Sequence, residues 1–351
     1  MPCATVCHEE YCSNGTPSAS DALVYTYYQL TYANPKAMRT RIYQIDFLKC
    51  VFIVLMIIFH LVYVGDKFPY AKQVVYTFHM SAFLVISGYL ANMDKSVGRF
   101  AGQVKWLFVP YAVMESGYVV MASFLPIREH IDSLTPALFF DKLLLHPLGP
   151  YWYLHTLIVC YLIYYAVSRL GKRLDPVSQV CLFGVCLFVV SRFLRIMSFD
   201  NAIYFLAGVF ARQCGQGFMQ VFRPSWLAAV PLALFCVFSP GGMDRFTLQG
   251  VVMTYLAMSL ALAEYPYIRP KARRLALFVG ENTLSILLFS PMFTIITKRF
   301  VPLFSFDPTA LLYTAVSVVF VVAGSLGVAW LLDRLRLSRW FCGKDRLLAV
   351  Y

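Results

Sequence analysis

The amino-acid sequence predicts an all-α, polytopic membrane protein built as a helical bundle. Of its 351 residues, 60% are hydrophobic and only 14% are charged, and the mean hydropathy is +0.65. Apolar runs of about 20 residues recur along the chain, which is the length that a helix needs to cross the hydrocarbon core of a bilayer. Because backbone polar groups must find internal partners in lipid, such a chain folds as a bundle of helices. The composition excludes a soluble domain of any size.

About ten membrane-spanning helices are predicted. Their expected positions, in chain order, are 45–64, 71–91, 104–124, 150–169, 177–197, 200–213, 225–241, 246–266, 275–297 and 309–332. The sixth is short for a complete crossing, so a tilted or re-entrant helix is the alternative there. Residues 1–40 are polar and lack the pattern of a signal peptide, so we expect a flexible tail. Residues 41–335 are then the membrane domain, and residues 336–351 form a short basic tail.

The distribution of basic residues predicts that both termini are cytoplasmic. With that orientation, 20 of the 30 Lys and Arg residues lie in cytoplasmic segments, while Lys49 lies within the first span. The other nine lie on the opposite, outer side and are Lys67, Lys72, Arg128, Lys142, Arg192, Arg195, Arg245, Lys298 and Arg299. An excess of basic residues in cytoplasmic segments is typical of polytopic membrane proteins. The net charge of +12 is therefore mainly a signal of topology. We expect membrane lipids around the bundle and no nucleic-acid partner.

The ten cysteines do not predict a metal site. Five of them lie in apolar spans, where a cysteine usually behaves as a small hydrophobic residue. Cys3, Cys7, His8 and Cys12 form a cluster near the N-terminus, but their spacing fits no structural zinc pattern well. We therefore expect no metal.

Ionisable residues within the predicted spans are the candidate functional residues, because placing them in lipid is costly. Lys49 and His60 lie on the same face of the first span, about 16 Å apart along the helix axis. Lys49 can extend to the cytoplasmic interface, whereas His60 lies in the outer half of the bilayer. Histidine is the side chain best suited to proton transfer near neutral pH. One helix face is thus predicted to link a cytoplasmic cation to a deep base.

Two further histidines are predicted to lie at a depth similar to that of His60. Counted from the outer ends of their spans, His60 lies about 6 Å deep, His79 about 12 Å and His155 about 8 Å. We therefore expect a cluster of three histidines, in which Glu115, nearer the midplane, orients or charge-balances one ring. For His155 the alternative is an interhelical hydrogen bond.

A base that faces outward and cations that face inward favour transfer of a group from a donor held on the cytoplasmic side. Acyl-CoA fits this arrangement, because its phosphates require Lys or Arg and its long thioester arm can enter a protein channel. Lys49, Arg99 and Lys105 are the candidate donor-binding residues. For Arg99 and Lys105 the alternative is solvated charge that sets only the topology.

Six segments of the chain together resemble one family. They are RIYQIDFLKCVFIVLMIIFH, FHMSAFLVISGYL, GRFAGQVKWLFVPY, GPYWYLHTL, YFLAGVFAR and VGENTLSILLFSPMF. In this order and spacing they resemble the acyltransferase 3 family of bacterial integral-membrane acyltransferases, and within it the branch similar to fucose 4-O-acetylases. The resemblance covers roughly residues 41–332. Lys49 stands where many members have Arg, and Ser290 stands where relatives often have histidine.

The resemblance implies an O-acetyltransferase in the bacterial inner membrane. Its donor would be cytoplasmic acetyl-CoA, and its acceptor would be a hydroxyl of an extracytoplasmic or lipid-linked glycan. His60 would be the catalytic histidine and Lys49 its basic partner. The imidazole would either take a proton from the sugar hydroxyl or carry the acyl group itself, and both routes stay open.

The acceptor is expected to bind at the outer mouth of the bundle, beside His79 and His155. Tyr151 and Trp152 are predicted to pack on sugar faces, although an interfacial aromatic belt explains them equally well. The main rival function is a transporter or flippase for a glycan or small anion, with the histidines as a proton relay. Against it, the chain has no visible inverted repeat. A scaffolding membrane protein, the third possibility, would not need histidines at matched depth.

Overall fold

The computed structural model describes residues 41–124 and 129–349, and these residues form fifteen α-helices and no strand. The predicted N-terminal tail and its cysteine cluster lie outside the described residues. The helices are α1 Tyr43–His60, α2 Val62–Lys67, α3 Pro69–Leu90, α4 Val97–Phe124, α5 Pro136–Leu144, α6 Trp152–Leu170, α7 Pro176–Val189, α8 Phe199–Gln213, α9 Phe218–Val221, α10 Ala229–Phe238, α11 Leu248–Glu264, α12 Pro270–Glu281, α13 Thr283–Thr297, α14 Leu311–Arg334 and α15 Ser338–Cys342.

Within the described residues, seven stretches of helix are long and apolar enough to cross a membrane, which confirms the predicted all-α membrane class. They are Tyr43–His60, Pro69–Leu90, Val97–Phe124, Pro136–Leu170, Pro176–Leu194, Thr283–Phe304 and Leu311–Arg334. The other three predicted spans correspond to shorter helices: α8 has 15 residues, α10 has 10 and α11 has 17. The count of ten crossings and the cytoplasmic placement of both termini stay predictions.

Two of the predicted spans are divided in the structure. The first ends at His60, because Leu61 is extended (ψ 105°) and its N–H is shared by the carbonyls of Ile57 and Ile58. The span expected at 275–297 is divided at Asn282, whose side chain donates to the Phe278 carbonyl of the preceding turn. Such local bonds from side chain to backbone compete with helix continuation. The first division leaves His60 exposed at the end of α1, and the second places the buried Asn282 between α12 and α13.

The core lies between α1, α3, α6, α8 and α13, and the outer surface is apolar. Phe52 of α1, Leu84 of α3 and Phe205 of α8 are almost fully buried. Phe238 is 78% exposed, and α14, which has the highest mean hydropathy of the seven long stretches, is largely uncovered by the rest of the protein. Apolar surface of this extent would be a liability in water, but lipid tails cover it in a membrane.

Helices α3 and α8 cross at two glycines. A Cβ atom at Gly88 would collide with the backbone carbonyl of Phe205, and one at Gly208 would collide with the carbonyl of Val85. Small residues at such a crossing let two backbones approach closely, as is common between membrane helices. The crossing fixes α3, which carries His79, against the centre of the bundle.

The described part of the C-terminal segment packs onto the helical bundle. The carboxylate of Asp333 accepts the backbone N–H groups of Leu347 (2.6 Å) and Leu348 (3.0 Å). The Asn282 side chain accepts the N–H of Ala349 (2.9 Å). The segment therefore covers the division between α12 and α13.

Candidate active site

Four charged side chains meet at the amino-terminal end of α1. Asp46 accepts a hydrogen bond from Arg41 Nε (2.9 Å), and its other oxygen lies 2.7 Å from Lys49 Nζ. Arg41 also pairs with Glu281 at the end of α12 (3.0 Å). Asp46 is buried, so this carboxylate holds two cations in fixed positions.

Close packing of α12 on α1 brings these charges together. A Cβ atom at Gly280 would collide with the backbone carbonyl of Asp46, so no larger residue fits at this contact. Arg41, Asp46 and Lys49 belong to the first family-like segment, whereas Gly280 and Glu281 belong to the last. The fold thus joins two segments that lie more than 200 residues apart in the chain.

A cavity of about 240 Å³ adjoins this cluster, and we call it the Lys49 cavity. Its walls come from α1, α3, α4, α6 and α13, and most of its lining residues are apolar. Ser87 and Tyr153 share a hydrogen bond of 2.8 Å in its wall, and Thr283 and Tyr161 add two further hydroxyl groups. It is therefore an apolar space with one cation and a few hydroxyls.

A second cavity, of about 520 Å³, lies at the carboxyl-terminal end of α1, and we call it the His60 cavity. Its lining is more polar than that of the Lys49 cavity. Its residues are His60, Pro69, Lys72, Gln73, Tyr76, Thr77, His79, Met80, Trp152, Met243, Asp244, Arg245 and Phe246. Met80 lines both cavities, so the two spaces lie on either side of this residue or meet at it.

Both histidines of this cavity present Nε2 as a base. His60 Nδ1 lies 2.7 Å from the Met56 carbonyl, and His79 Nδ1 lies 2.8 Å from the Val75 carbonyl. Since a carbonyl can only accept, each Nδ1 carries the proton of the neutral ring and each Nε2 keeps its lone pair. His79 is 2% exposed, and its Nε2 has no partner in the described part of the chain.

The Tyr76 ring packs against the rings of both histidines. The Tyr76 ring lies 5.6 Å from the His60 ring and 5.1 Å from the His79 ring, measured between centroids. His60 is exposed and His79 is buried, so the pair extends from the cavity opening into the bundle. The structure brings together two of the three histidines that were expected to cluster.

The third histidine and Glu115 lie elsewhere and line neither cavity. His155 Nε2 bonds the Leu144 carbonyl at the end of α5 (2.8 Å), as in the alternative that the sequence left open. Glu115 is fully buried and accepts the backbone N–H of Leu148 (2.6 Å). Both side chains therefore hold the connection between α5 and α6 rather than the histidine pair.

Of the remaining candidate residues, some line one of the two cavities and others do not. Trp152 lines the His60 cavity, but Tyr151 is 2% exposed and its hydroxyl donates to the Leu288 carbonyl (2.9 Å), so it does not face the outer mouth. Arg99 and Lys105 are exposed on α4 and line neither cavity. Of the three predicted donor-binding cations, Lys49 is thus the one that lines either of these two cavities.

Sequence reasoning missed several residues of the two cavities. Lys72 and Arg245 entered only as basic residues of the predicted outer side, and nothing in their local sequence marks a site. Tyr76 carried a usable signal, because it lies one helical turn before His79 and shares its face.

Comparisons with known proteins give one family and one curated relative. The model of the acyltransferase 3 family, described as an acyltransferase domain, matches residues 42–334. Nodulation protein NolL of Mesorhizobium japonicum is 23% identical over 238 residues, which cover 63% of this chain and 62% of that relative. The match thus spans less than two thirds of the relative's length. No solved structure matches the chain.

Proposed function

Because the chain belongs to the acyltransferase 3 family, we propose that it is a membrane O-acyltransferase that uses acyl-CoA, with acetyl-CoA as the expected donor. The proposed acceptor is a hydroxyl of an extracytoplasmic or lipid-linked glycan. The observation that carries this proposal is the pair of cavities at the two ends of α1, both of which are lined by Met80. With the predicted orientation, the Lys49 cavity faces the cytoplasm of a bacterial cell and the His60 cavity faces outward.

The Lys49 cavity has the chemistry that an acyl-CoA arm requires. The Lys49 ammonium, fixed by Asp46, supplies a positive charge at the entrance for a phosphate of the donor. The apolar walls suit the acyl group and the long arm that carries it, and the hydroxyls of Ser87 and Tyr153 can form hydrogen bonds with the amide groups of that arm. The thioester is proposed to reach His60 past Met80, which lines both cavities.

In the proposed reaction, His60 is the general base. Its Nε2 takes the proton of the acceptor hydroxyl while the hydroxyl oxygen attacks the thioester carbon. The carbon–sulfur bond then breaks, and the CoA thiolate leaves and is protonated by the imidazolium. In the second route, Nε2 attacks the thioester carbon and the CoA thiolate leaves. The acceptor hydroxyl then attacks the acyl carbon, the carbon–nitrogen bond breaks, and the hydroxyl proton passes to the thiolate. Both routes need the lone pair that the hydrogen bond to Met56 leaves on Nε2.

His79 is proposed to position the acceptor. Its buried Nε2 has no partner among the described residues, and an unsatisfied buried group costs about 1–3 kcal/mol. A substrate hydroxyl that donates to this nitrogen removes that cost. Binding and alignment of the acceptor beside His60 would then be coupled.

The test is acceptor-dependent release of CoA by the purified protein, together with detection of the acylated glycan. We expect His60→Ala to lower the rate by about 10²–10⁴-fold, the usual contribution of a general base. The matched control is His146→Ala, because His146 is exposed, pairs with Asp141 and lines neither cavity. Full activity of His60→Ala, or glycan binding without CoA release by the wild type, would overturn the proposal and favour a transporter.

A further inference from the structure

Two cations line the His60 cavity without a carboxylate within 4 Å in the described part of the chain. They are Lys72 of α3 and Arg245 of the connection between α10 and α11. Asp244 lines the same cavity, but its carboxylate accepts the backbone N–H of Phe246 (3.0 Å) within its own turn. The cavity thus presents positive charge beside the two histidines.

Arg245 is held in place by its surroundings. Its guanidinium carbon lies 4.9 Å from the centroid of the Trp152 ring and 4.9 Å from that of Phe246. Its backbone carbonyl accepts the Tyr204 hydroxyl (2.5 Å), which fixes the turn that carries it. Burial lowers the pKa of Arg245, and the charges of Asp244, Tyr204 and Asp200 oppose this only in part. Among the described residues, no carboxylate lies within 4 Å of the guanidinium to form an ion pair with it.

The planar guanidinium of Arg245 is suited to binding a carboxylate or a phosphate. Arginine presents its N–H donors as a rigid fork that pairs with the two oxygens of a carboxylate or a phosphate. Lys72 lies two helical turns before His79 on α3, with its ammonium 5.6 Å from the centroid of the Tyr76 ring. The two cations therefore lie beside the histidine pair, one on α3 and one on the connection that carries Arg245.

We infer that the His60 cavity binds an anionic acceptor, a glycan that carries a phosphate or carboxylate group close to the hydroxyl to be acylated. Arg245 and Lys72 bind the oxyanion, and this places the hydroxyl at His60. The inference rests on the proposed function and adds the chemical class of the acceptor. The oxyanion is either the carboxylate of an acidic sugar or a phosphate that links the sugar to a lipid carrier.

Binding of three matched probes to the full-length protein in detergent tests the inference. The probes are a neutral oligosaccharide, the same oligosaccharide with one uronic acid, and the same oligosaccharide with a terminal phosphate. Wild type should bind an acidic probe about 10- to 100-fold more tightly than the neutral one, since a hydrogen bond to a charged group has that effect. Whichever acidic probe binds more tightly identifies the source of the oxyanion.

The variants separate recognition of charge from a loss of folding. Arg245→Gln should remove the preference for the acidic probe and leave the neutral probe unchanged, while Arg245→Lys should keep part of the preference. The preference of the wild type should also fall with added salt, because ionic contacts at an open cavity are screened. Arg192→Gln is the matched control, since Arg192 is also predicted to lie on the outer side and does not line this cavity.

Equal binding of all three probes by the wild type would overturn the inference. So would an equal loss of neutral and acidic binding in Arg245→Gln with an unchanged melting temperature. Transfer of acetyl groups is measured on the same probes. If the wild type acylates neutral and acidic glycans equally well, this inference fails and the proposed function stands. If it binds acidic glycans but never acylates them, the proposed function fails.

Discussion

Met80 is expected to control which acyl groups pass from the Lys49 cavity to the His60 cavity, because its side chain lines both. Truncation to alanine removes three side-chain heavy atoms from the wall between two spaces of about 240 Å³ and 520 Å³. Met80→Ala should therefore widen the passage. A bulky replacement, Met80→Trp, should obstruct it.

The expected magnitude follows from the size of an acyl extension. One methylene in an apolar pocket changes discrimination about 10- to 200-fold. We expect the kcat/KM ratio of butyryl-CoA to acetyl-CoA to rise at least about tenfold in Met80→Ala. In Met80→Trp, transfer from both donors should fall, with the larger loss for butyryl-CoA. The assay is acceptor-dependent CoA release with each donor, measured alongside the melting temperature of each variant.

The matched control is Met253→Ala. Met253 is a fully buried methionine of α11 and lines neither cavity. Its truncation should cost a similar amount of stability, about 2–5 kcal/mol, without changing donor preference. An unchanged ratio of donors in Met80→Ala, or the same change in Met253→Ala, would refute the role of Met80 as the barrier.

Three further predictions concern stability and are checked by thermal melting. Gly88→Ala should destabilise the bundle by about 1–3 kcal/mol, because the added Cβ collides with a backbone carbonyl of α8; an unchanged melting temperature would contradict this packing. Glu115→Ala should cost about 1–3 kcal/mol, because it leaves the N–H of Leu148 unpaired, whereas Glu115→Gln keeps an acceptor and should cost less. The pKa of Asp307 is lowered, mainly by the hydrogen bond from the Thr309 side chain. Wild type should therefore melt at a higher temperature than Asp307→Asn above about pH 4, and this difference should be lost as the pH falls through the folded pKa of Asp307. A difference in melting temperature that does not depend on pH would contradict this role of Asp307.

The class of the fold and the common face of Lys49 and His60 could be predicted because both depend on local properties of the sequence. Hydropathy over about 20 residues marks a spanning helix, and the helical repeat sets which residues share a face. The divisions at Leu61 and Asn282 could not be predicted in this way. They depend on backbone geometry and on side-chain bonds to the backbone, while the apolar runs continue past them.

Depth estimates predicted the histidine pair but also added His155 to it. Depth gives the position of a residue along the membrane normal and says nothing about its position around the bundle. The partner of His155 is the Leu144 carbonyl, at the end of α5, in a stretch where the sequence analysis expected no helix. Arg245 was missed for a related reason, because the distant Tyr204 hydroxyl fixes the turn that carries it.

The most direct test of the account is acyl transfer across a membrane in proteoliposomes with the protein in one orientation. Labelled acetyl-CoA is supplied only on the side of the Lys49 cavity, and the glycan acceptor is enclosed only on the side of the His60 cavity. The account predicts labelled glycan on the enclosed side for the wild type and for His146→Ala, but not for His60→Ala. Transfer that occurs only when donor and acceptor share one side would contradict it.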